Sequence, residues 1–143
     1  MLPSILVAVA LALTACAAAP LDPSPRSDLL DPDGNVVLYV SNQSFAIDSV
    51  DIIVEIDGDE VISEDFEVAD QHNWKQFILR LAPGRHTLKA RSSRGDAALE
   101  KTLVVTDEHW AVLNYWYSTE EYGHPPEPKQ FEFLIQDKPI VFA

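Results

Sequence analysis

The residues with the clearest binding chemistry lie in HWAVLNYWYS, residues 109–118, which holds four of the chain's thirteen aromatic residues. Read as a β-strand, this stretch places Trp110 and Trp116 on one face and Tyr115 and Tyr117 on the other, because successive side chains alternate. Indole rings stack on the apolar faces of sugars, and Trp and Tyr dominate the binding energy of protein interfaces. The stretch therefore indicates either a core strand or a strand that displays rings to a ligand.

One face of this strand must serve the core, since each strand of a two-layer sandwich has a single inward face. We predict that Ala111, Leu113 and Tyr115 face inward and that Trp110 and Trp116 form an outer platform. In the alternative, the proline-rich loop 118–129 covers the rings and no ligand binds. The candidate binding residues of this region are Trp110, Trp116, Tyr117 and Tyr122.

A second candidate surface is acidic. Residues 48–70 carry ten carboxylates and no Lys or Arg, whereas residues 75–101 carry seven bases and two acids. In one interpretation the two regions are sheet neighbours, and their outward charges pair across strands, each pair contributing about 0.2–1 kcal/mol. In the other, the acids dock an envelope protein with a basic face. The candidate residues of this surface are Asp51, Glu55 and Asp57.

Neither catalysis nor a transition-metal site is indicated. The four histidines are predicted to divide between the two ends of the domain, whereas a closed zinc site needs about four converging ligands. The chain has no nucleophile elbow, zinc-protease motif or phosphate-binding glycine loop. The adjacent Glu120 and Glu121 point apart on a strand end and cannot flank a common glycoside. We predict a protein that is not an enzyme and has neither cofactor nor metal.

Calcium is a further candidate ligand. Residues 31–35, DPDGN, space their oxygens like the start of a calcium loop, but Val36 replaces the required glycine and Asn42 the bidentate Glu. A turn before the first strand is the better interpretation. A looser calcium site stays open among Asp57, Asp59 and Glu60.

The amino-terminal end predicts export. Its apolar run is too short to span a bilayer stably and reads as a signal peptide over residues 1–15. Leu13-Thr14-Ala15-Cys16 resembles the lipobox of bacterial lipoproteins, which implies cleavage before Cys16, lipid on its sulfur and a place in the bacterial cell envelope. Ala17 stands where an Asp would resemble an inner-membrane retention signal, which favours the outer membrane, facing the periplasm, in a Gram-negative host.

A flexible tether is predicted over residues 16–34, because this segment is rich in proline and charge and poor in large apolar residues. Its average reach would be about 20 to 25 Å. Cys16 is the single cysteine, so no intramolecular disulfide can form. The acids outnumber the bases by thirteen over residues 1–74 and balance them over residues 75–143. Such a charge distribution disfavours nucleic acid, because phosphate contacts need Lys or Arg.

The folded domain is predicted over residues 35–143, as eight or nine short strands in an antiparallel immunoglobulin-like β-sandwich. Residues 49–57 alternate apolar and acidic side chains, and Gly58-Asp59 turns the chain into a second strand. Residues 74–92 are predicted to form another hairpin around Pro83-Gly84, and PIVFA, residues 139–143, a last strand. Strands at intervals of about ten residues are typical of a sandwich.

The turn residues resemble those of the small bacterial PEGA-type surface domain, in which an Asp-Gly turn precedes a Leu-x-Pro-Gly-x-His-x-Leu segment. The resemblance covers about residues 50–95 and implies an envelope module of no fixed chemistry. The matching residues are Asp57, Gly58, Leu81, Pro83, Gly84, His86 and Leu88.

These observations predict a noncatalytic envelope lipoprotein, attached to a membrane through its lipid, that acts as a protein-binding or structural module. The alternative is a carbohydrate-binding module that uses the aromatic strand as its platform.

Overall fold

A computed structural model describes residues 27–68, 74–120 and 125–142 of the chain. Cys16, the predicted lipidation site, and Tyr122, a candidate binding residue, lie outside these ranges. The described residues form eight strands. In chain order these are β1 (Val36–Asn42), β2 (Ser49–Ile56), β3 (Asp59–Glu67), β4 (Lys75–Leu79), β5 (Gly84–Ser92), β6 (Ala97–Val105), β7 (His109–Ser118) and β8 (Glu127–Gln136).

The strands form two four-stranded sheets that pack as an immunoglobulin-like β-sandwich, which confirms the predicted fold class. Sheet A has the order β4-β1-β7-β8, and sheet B has the order β3-β2-β5-β6. All neighbouring strands are antiparallel except β1 and β7, which pair in parallel from Val36 opposite His109 to Asn42 opposite Tyr115. The parallel pair places β1 between β4 and β7, while the other neighbouring strands are antiparallel as predicted.

The core lies between the sheets and follows the predicted alternation. On β2, the four inward residues Val50, Ile52, Val54 and Ile56 are all 0% exposed. The register of β2 against β3 shifts between Val54 and Glu55, and both Val61 and Ile62 are consequently buried. The alternation of apolar residues therefore identified the inward face of β2. On β3 a bulge interrupts this alternation, so two consecutive residues are buried.

The second predicted hairpin does not exist. β4 pairs with β1 in sheet A, whereas β5 pairs with β2 and β6 in sheet B, so the segment between them crosses from one sheet to the other. The side chain of Asn35 holds this crossing by bonding both backbone groups of Leu81 at 2.9 and 3.0 Å. The Pro-Gly pair indicates a change of direction, but it does not indicate in which sheet the next strand pairs.

The two ends of the described chain pack against the sandwich. Leu29 and Leu30, which composition assigns to the tether, contact the core, and Leu30 bridges to Leu79. At the other end, residues 137–142 form no strand, so the predicted last strand was wrong over the described part of it. This C-terminal segment turns after Gln136, whose amide donates to the Lys138 carbonyl at 2.8 Å.

Within the described ranges, no helix is long and apolar enough to cross a membrane.

Candidate functional site

Strand β7 divides its two faces as predicted. Ala111, Leu113 and Tyr115 are buried in the core, whereas Trp110 and Trp116 lie half-buried on the outer face of sheet A. Burial raises the pKa of Tyr115 to about 12, so its hydroxyl stays protonated at neutral pH. That hydroxyl donates to the Gly95 carbonyl at 2.7 Å and joins β7 to the β5–β6 turn.

The outer face of sheet A carries an apolar patch that a two-layer sandwich does not need for its core. Two rows of registered residues cross the sheet from β4 or β1 to β7 and β8. Leu134, at the end of one row, is 55% exposed. We define the outer apolar face as Val37, Tyr39, Ile78, Trp110, Val112 and Leu134.

The C-terminal segment covers one side of this face. The ring of Phe142 stacks on Trp74 with centroids 4.0 Å apart and meets Tyr39 edge-on at 5.0 Å. The indole Nε1 of Trp74 donates to Asn114 at 2.8 Å. The chain's own aromatic cover therefore lies at the β1 and β4 side, whereas Leu134 of β8 is left open.

Trp110 and Trp116 share a face but do not form one contiguous platform. Six residues separate them along β7, which corresponds to roughly 20 Å in an extended strand. The Trp116 Nε1 atom is buried and has no hydrogen-bond partner in the part of the chain that the structure describes. Tyr117 packs against the core, and the Lys129 ammonium lies 5.5 Å above its ring centroid.

Several polar groups beside the outer apolar face are already engaged. Asn114 Oδ1 accepts from both Trp74 and the Ser41 hydroxyl. The Gln136 amide donates to the carbonyls of Lys138 and Pro139. A ligand on this face would therefore meet mainly apolar side chains and rings.

The acidic surface is organised around internal contacts. β2 lies directly beside β5, as the first interpretation of the charge pattern requires. The Asp51 carboxylate accepts from the backbone N–H groups of Ser93 and Arg94 and from the Ser92 hydroxyl, at 2.8–3.1 Å. Partial burial alone would raise the pKa of Asp51, but these hydrogen bonds outweigh it and lower the pKa. Asp51 thus closes the β5–β6 turn.

Asp57 has a comparable structural role at the opposite end of β2. Its carboxylate contacts His86 Nδ1 at 2.6 Å and accepts from the Thr87 backbone N–H at 2.8 Å. The hydrogen bond with His86, supported by that from Thr87, lowers the pKa of Asp57. Asp57 and Gly58 both have positive φ values, 52° and 85°, as the two-residue turn between β2 and β3 requires.

Bases cover other acids of the hairpin. Arg94 forms ion pairs with Asp65 and, at 3.8 Å, with Asp51, which stand opposite each other on β3 and β2. Lys75 pairs with Glu64. Acids of the hairpin therefore do pair with bases of residues 75–101, but not across adjacent strands, because Lys75 lies on β4 of the other sheet and Arg94 in the turn after β5.

Glu55 is the exception among the acidic candidates. It stands opposite Glu60 on one side and Lys89 on the other, but Lys89 forms its ion pair with Glu100, at 3.6 Å. Two carboxylates on adjacent strands therefore face each other on the outer face of sheet B without a base between them.

The metal interpretations find no support in the described ranges, where no group of three or more potential ligands converges. Asp59 accepts from the Ser27 hydroxyl at 2.6 Å, and Asp57 is held by His86 and Thr87. Asp31 forms a turn by accepting from the Asp33 N–H, and it pairs with Arg80. The turn interpretation of residues 31–35 is confirmed.

Sequence reasoning missed part of the aromatic surface. Tyr39 lies on β1 and Trp74 just before β4, in segments that were read for their core residues, and Phe142 was assigned to a strand of its own. Tyr39 could have been found from β1 alone, because it alternates with the core residues Leu38 and Val40 and is an outward ring. The contacts of Phe142 follow from the path of a segment without regular structure and have no sequence signal.

Comparisons with family models, with curated proteins and with solved structures found no match for this chain.

Proposed function

We propose that this protein is a noncatalytic, lipid-anchored lipoprotein of the bacterial cell envelope that binds another envelope protein through the outer apolar face. The lipobox at residues 13–16 supports the anchor. The observation that supports the binding surface is the outer face of sheet A, where two rows of apolar side chains lie outside the core and one of them ends at the exposed Leu134.

The outer apolar face is a better binding surface than the acidic hairpin. Buried apolar and aromatic side chains supply most of the energy of protein interfaces. Asp51 and Asp57 already accept hydrogen bonds from backbone donors of β5 and its following turn, so part of their acceptor capacity is used within the domain. Glu55 has no such backbone donor among the contacts of the described residues.

Carbohydrate binding is the second candidate function, supported by the outward indole of Trp110. A sugar also needs hydrogen-bonding groups beside the ring. Asn114 and Gln136, the nearest amides by register, are engaged within the chain. A protein partner with apolar side chains therefore fits the face better.

The anchor is tested in an exporting bacterial host with a clickable fatty acid. We expect the chain to incorporate the label and fractionate with membranes, and Cys16→Ser to lose both properties. Label that persists in Cys16→Ser would contradict the anchor.

The surface is tested with a photo-crosslinking amino acid at Trp110 in the full-length protein in cells. We expect one discrete adduct with a different envelope protein. The matched control is the same amino acid at Val104, an outward residue that is 52% exposed on β6. The same adduct at both positions, or none at Trp110, would reject the surface. In parallel, movement of the Trp110 indole N–H resonance with glycan fragments would favour the carbohydrate function.

A further inference from the structure

Each sheet of the sandwich ends in two edge strands, and an edge strand offers unpaired backbone groups to any other extended chain. The four edges within the described ranges are β4 and β8 in sheet A and β3 and β6 in sheet B. Natural sheets protect such edges by keeping them short or by pointing a charged side chain inward.

Three of the four edges carry such protection. β4 has only five residues. On β3, Glu64 stands opposite the fully buried Ile52 and therefore points inward, where it pairs with Lys75. On β6, Lys101 stands opposite the buried Leu88, which also places a charge on the inward side.

β8 has no such protection from Gln130 to Gln136. Its inward residues are Phe131, Phe133 and Ile135, which stand opposite the buried Tyr115, Leu113 and Ala111. The strand has ten residues, and its one proline, Pro128, lies near its start. A long edge with only apolar inward residues is typical of an edge that pairs with another strand.

A groove of about 490 Å³ lies at this edge. Four consecutive residues of β8, 131–134, line it together with Leu99 and Lys101 of β6 and Val112 and Asn114 of β7. Four consecutive residues of one strand expose both its faces and its backbone to the groove. The C-terminal segment does not occupy this edge, because its Phe142 ring lies on Trp74 and Tyr39.

The sequence of β8 is complementary to itself in one antiparallel register. With Phe133 on a two-fold axis, Phe131 faces Ile135 of the second copy, and both are inward. Gln130 then faces Gln136, and Glu132 faces Leu134. An axis at Glu132 would instead oppose two carboxylates, and a register shifted by one residue would oppose inward and outward residues.

We propose that β8 is a dimerisation edge, on which a second copy of this chain adds its own β8 antiparallel about Phe133. The two copies of sheet A then form one continuous eight-stranded sheet. The interface is isologous, as expected of a two-fold dimer. The dimer edge shares Leu134 with the outer apolar face, but the two proposals have separate readouts, since the β8 cross-link reports on dimerisation and the Trp110 adduct on a different protein.

The register is tested by cysteine cross-linking of the full-length chain in a Cys16→Ser background, which leaves no other thiol. Two differently tagged chains, Gln130→Cys and Gln136→Cys, are produced together and oxidised. We expect a disulfide between the two tags and none when either variant is present alone, because only the mixed pair is opposite. Val104→Cys on β6 is the matched control and should give no cross-link.

A charge swap supplies a second test that leaves the core unchanged. Leu134→Glu places a carboxylate opposite Glu132 of the other copy, twice in the dimer. At about 0.2–1 kcal/mol for each pair, it should weaken dimerisation roughly two- to thirtyfold in sedimentation of the detergent-solubilised chain. Adding Glu132→Lys should restore it. A monomer at about 100 μM, a cross-link through Val104, or no rescue would overturn the proposal.

Discussion

The acidic hairpin of sheet B and the aromatic strand β7 were both candidates in the sequence, and the structure treats the hairpin and the outer apolar face around Trp110 differently. Asp51 and Asp57 accept hydrogen bonds from neighbouring backbone, and Asp65 has an arginine partner. Leu134 and the Trp116 Nε1 atom have no comparable contact in the described ranges.

The difference shows that an acidic side chain can have a structural role in a turn that an outward apolar side chain cannot have. A turn leaves backbone N–H groups without partners, and a carboxylate nearby is the strongest acceptor available to them. A cluster of acids in a β-protein can therefore be structural. An outward ring on a sheet meets no such need, and two of these rings, Tyr39 and Trp74, are covered by Phe142 of the same chain.

Among the substitutions that test this comparison, Asp51→Ala should lower the free energy of unfolding the most. It removes one acceptor for three donors of the β5–β6 turn, which we expect to lower the free energy of unfolding by about 1–3 kcal/mol. Urea denaturation measures the loss. The matched variant Glu55→Ala should change stability by less than about 0.5 kcal/mol. Equal effects would mean that Asp51 is no more structural than Glu55.

Trp74→Phe and Trp116→Phe form a second matched pair. We expect a smaller difference in the free energy of unfolding between these two variants. Both lose the same ring atoms, but only Trp74 loses a hydrogen bond, the one from its Nε1 to Asn114, and part of a ring stack, the one on Phe142. We expect Trp74→Phe to cost about 0.5–1.5 kcal/mol more than Trp116→Phe in thermal or urea unfolding. A greater loss in Trp116→Phe would show that its buried Nε1 has a partner in solution.

The pH dependence of stability tests the contact of Asp57 with His86. The Ala82 carbonyl and the Asp57 carboxylate both accept from the His86 ring, which can donate to both only when protonated, and they raise the pKa of His86. Its folded pKa therefore exceeds the unfolded value of about 6.5. The stabilisation is complete below about pH 6.5 and is lost as the pH rises through the folded pKa.

Denaturation from pH 5 to 9 should show this decline, and His86→Gln should flatten it. A stability that rises with pH across this interval in the unsubstituted protein, but not in His86→Gln, would contradict the assigned protonation.

Glu55→Gln is expected to have the smallest effect, and a favourable one. It removes the opposition of two carboxylates on β2 and β3 and should stabilise the domain by a few tenths of a kcal/mol at low salt. The effect should shrink in 1 M salt, because exposed charges are screened. Glu67→Gln on β3, opposite Ser49, is the control and should show no gain.

Much of the fold was accessible from local patterns. Alternation identified the inward residues of β2 and β7, and Asp57-Gly58 marked the turn of a real hairpin. The Pro83-Gly84 signal was misread because a hairpin and a crossing between sheets use the same turn residues. The candidate site was harder to predict, since an exposed acid and an acid that holds a turn have identical sequence signatures.

The sequence by itself determined the all-β sandwich and the inward face of its central strands, because burial on a pleated strand has a period of two. Only the tertiary structure decided which strands became neighbours and which carboxylates accept hydrogen bonds from turns. It also decided which edge of sheet A has no inward charge. Those outcomes depend on contacts between residues far apart in the chain, such as Asp51 with Arg94 and Phe142 with Trp74. No local pattern records such contacts.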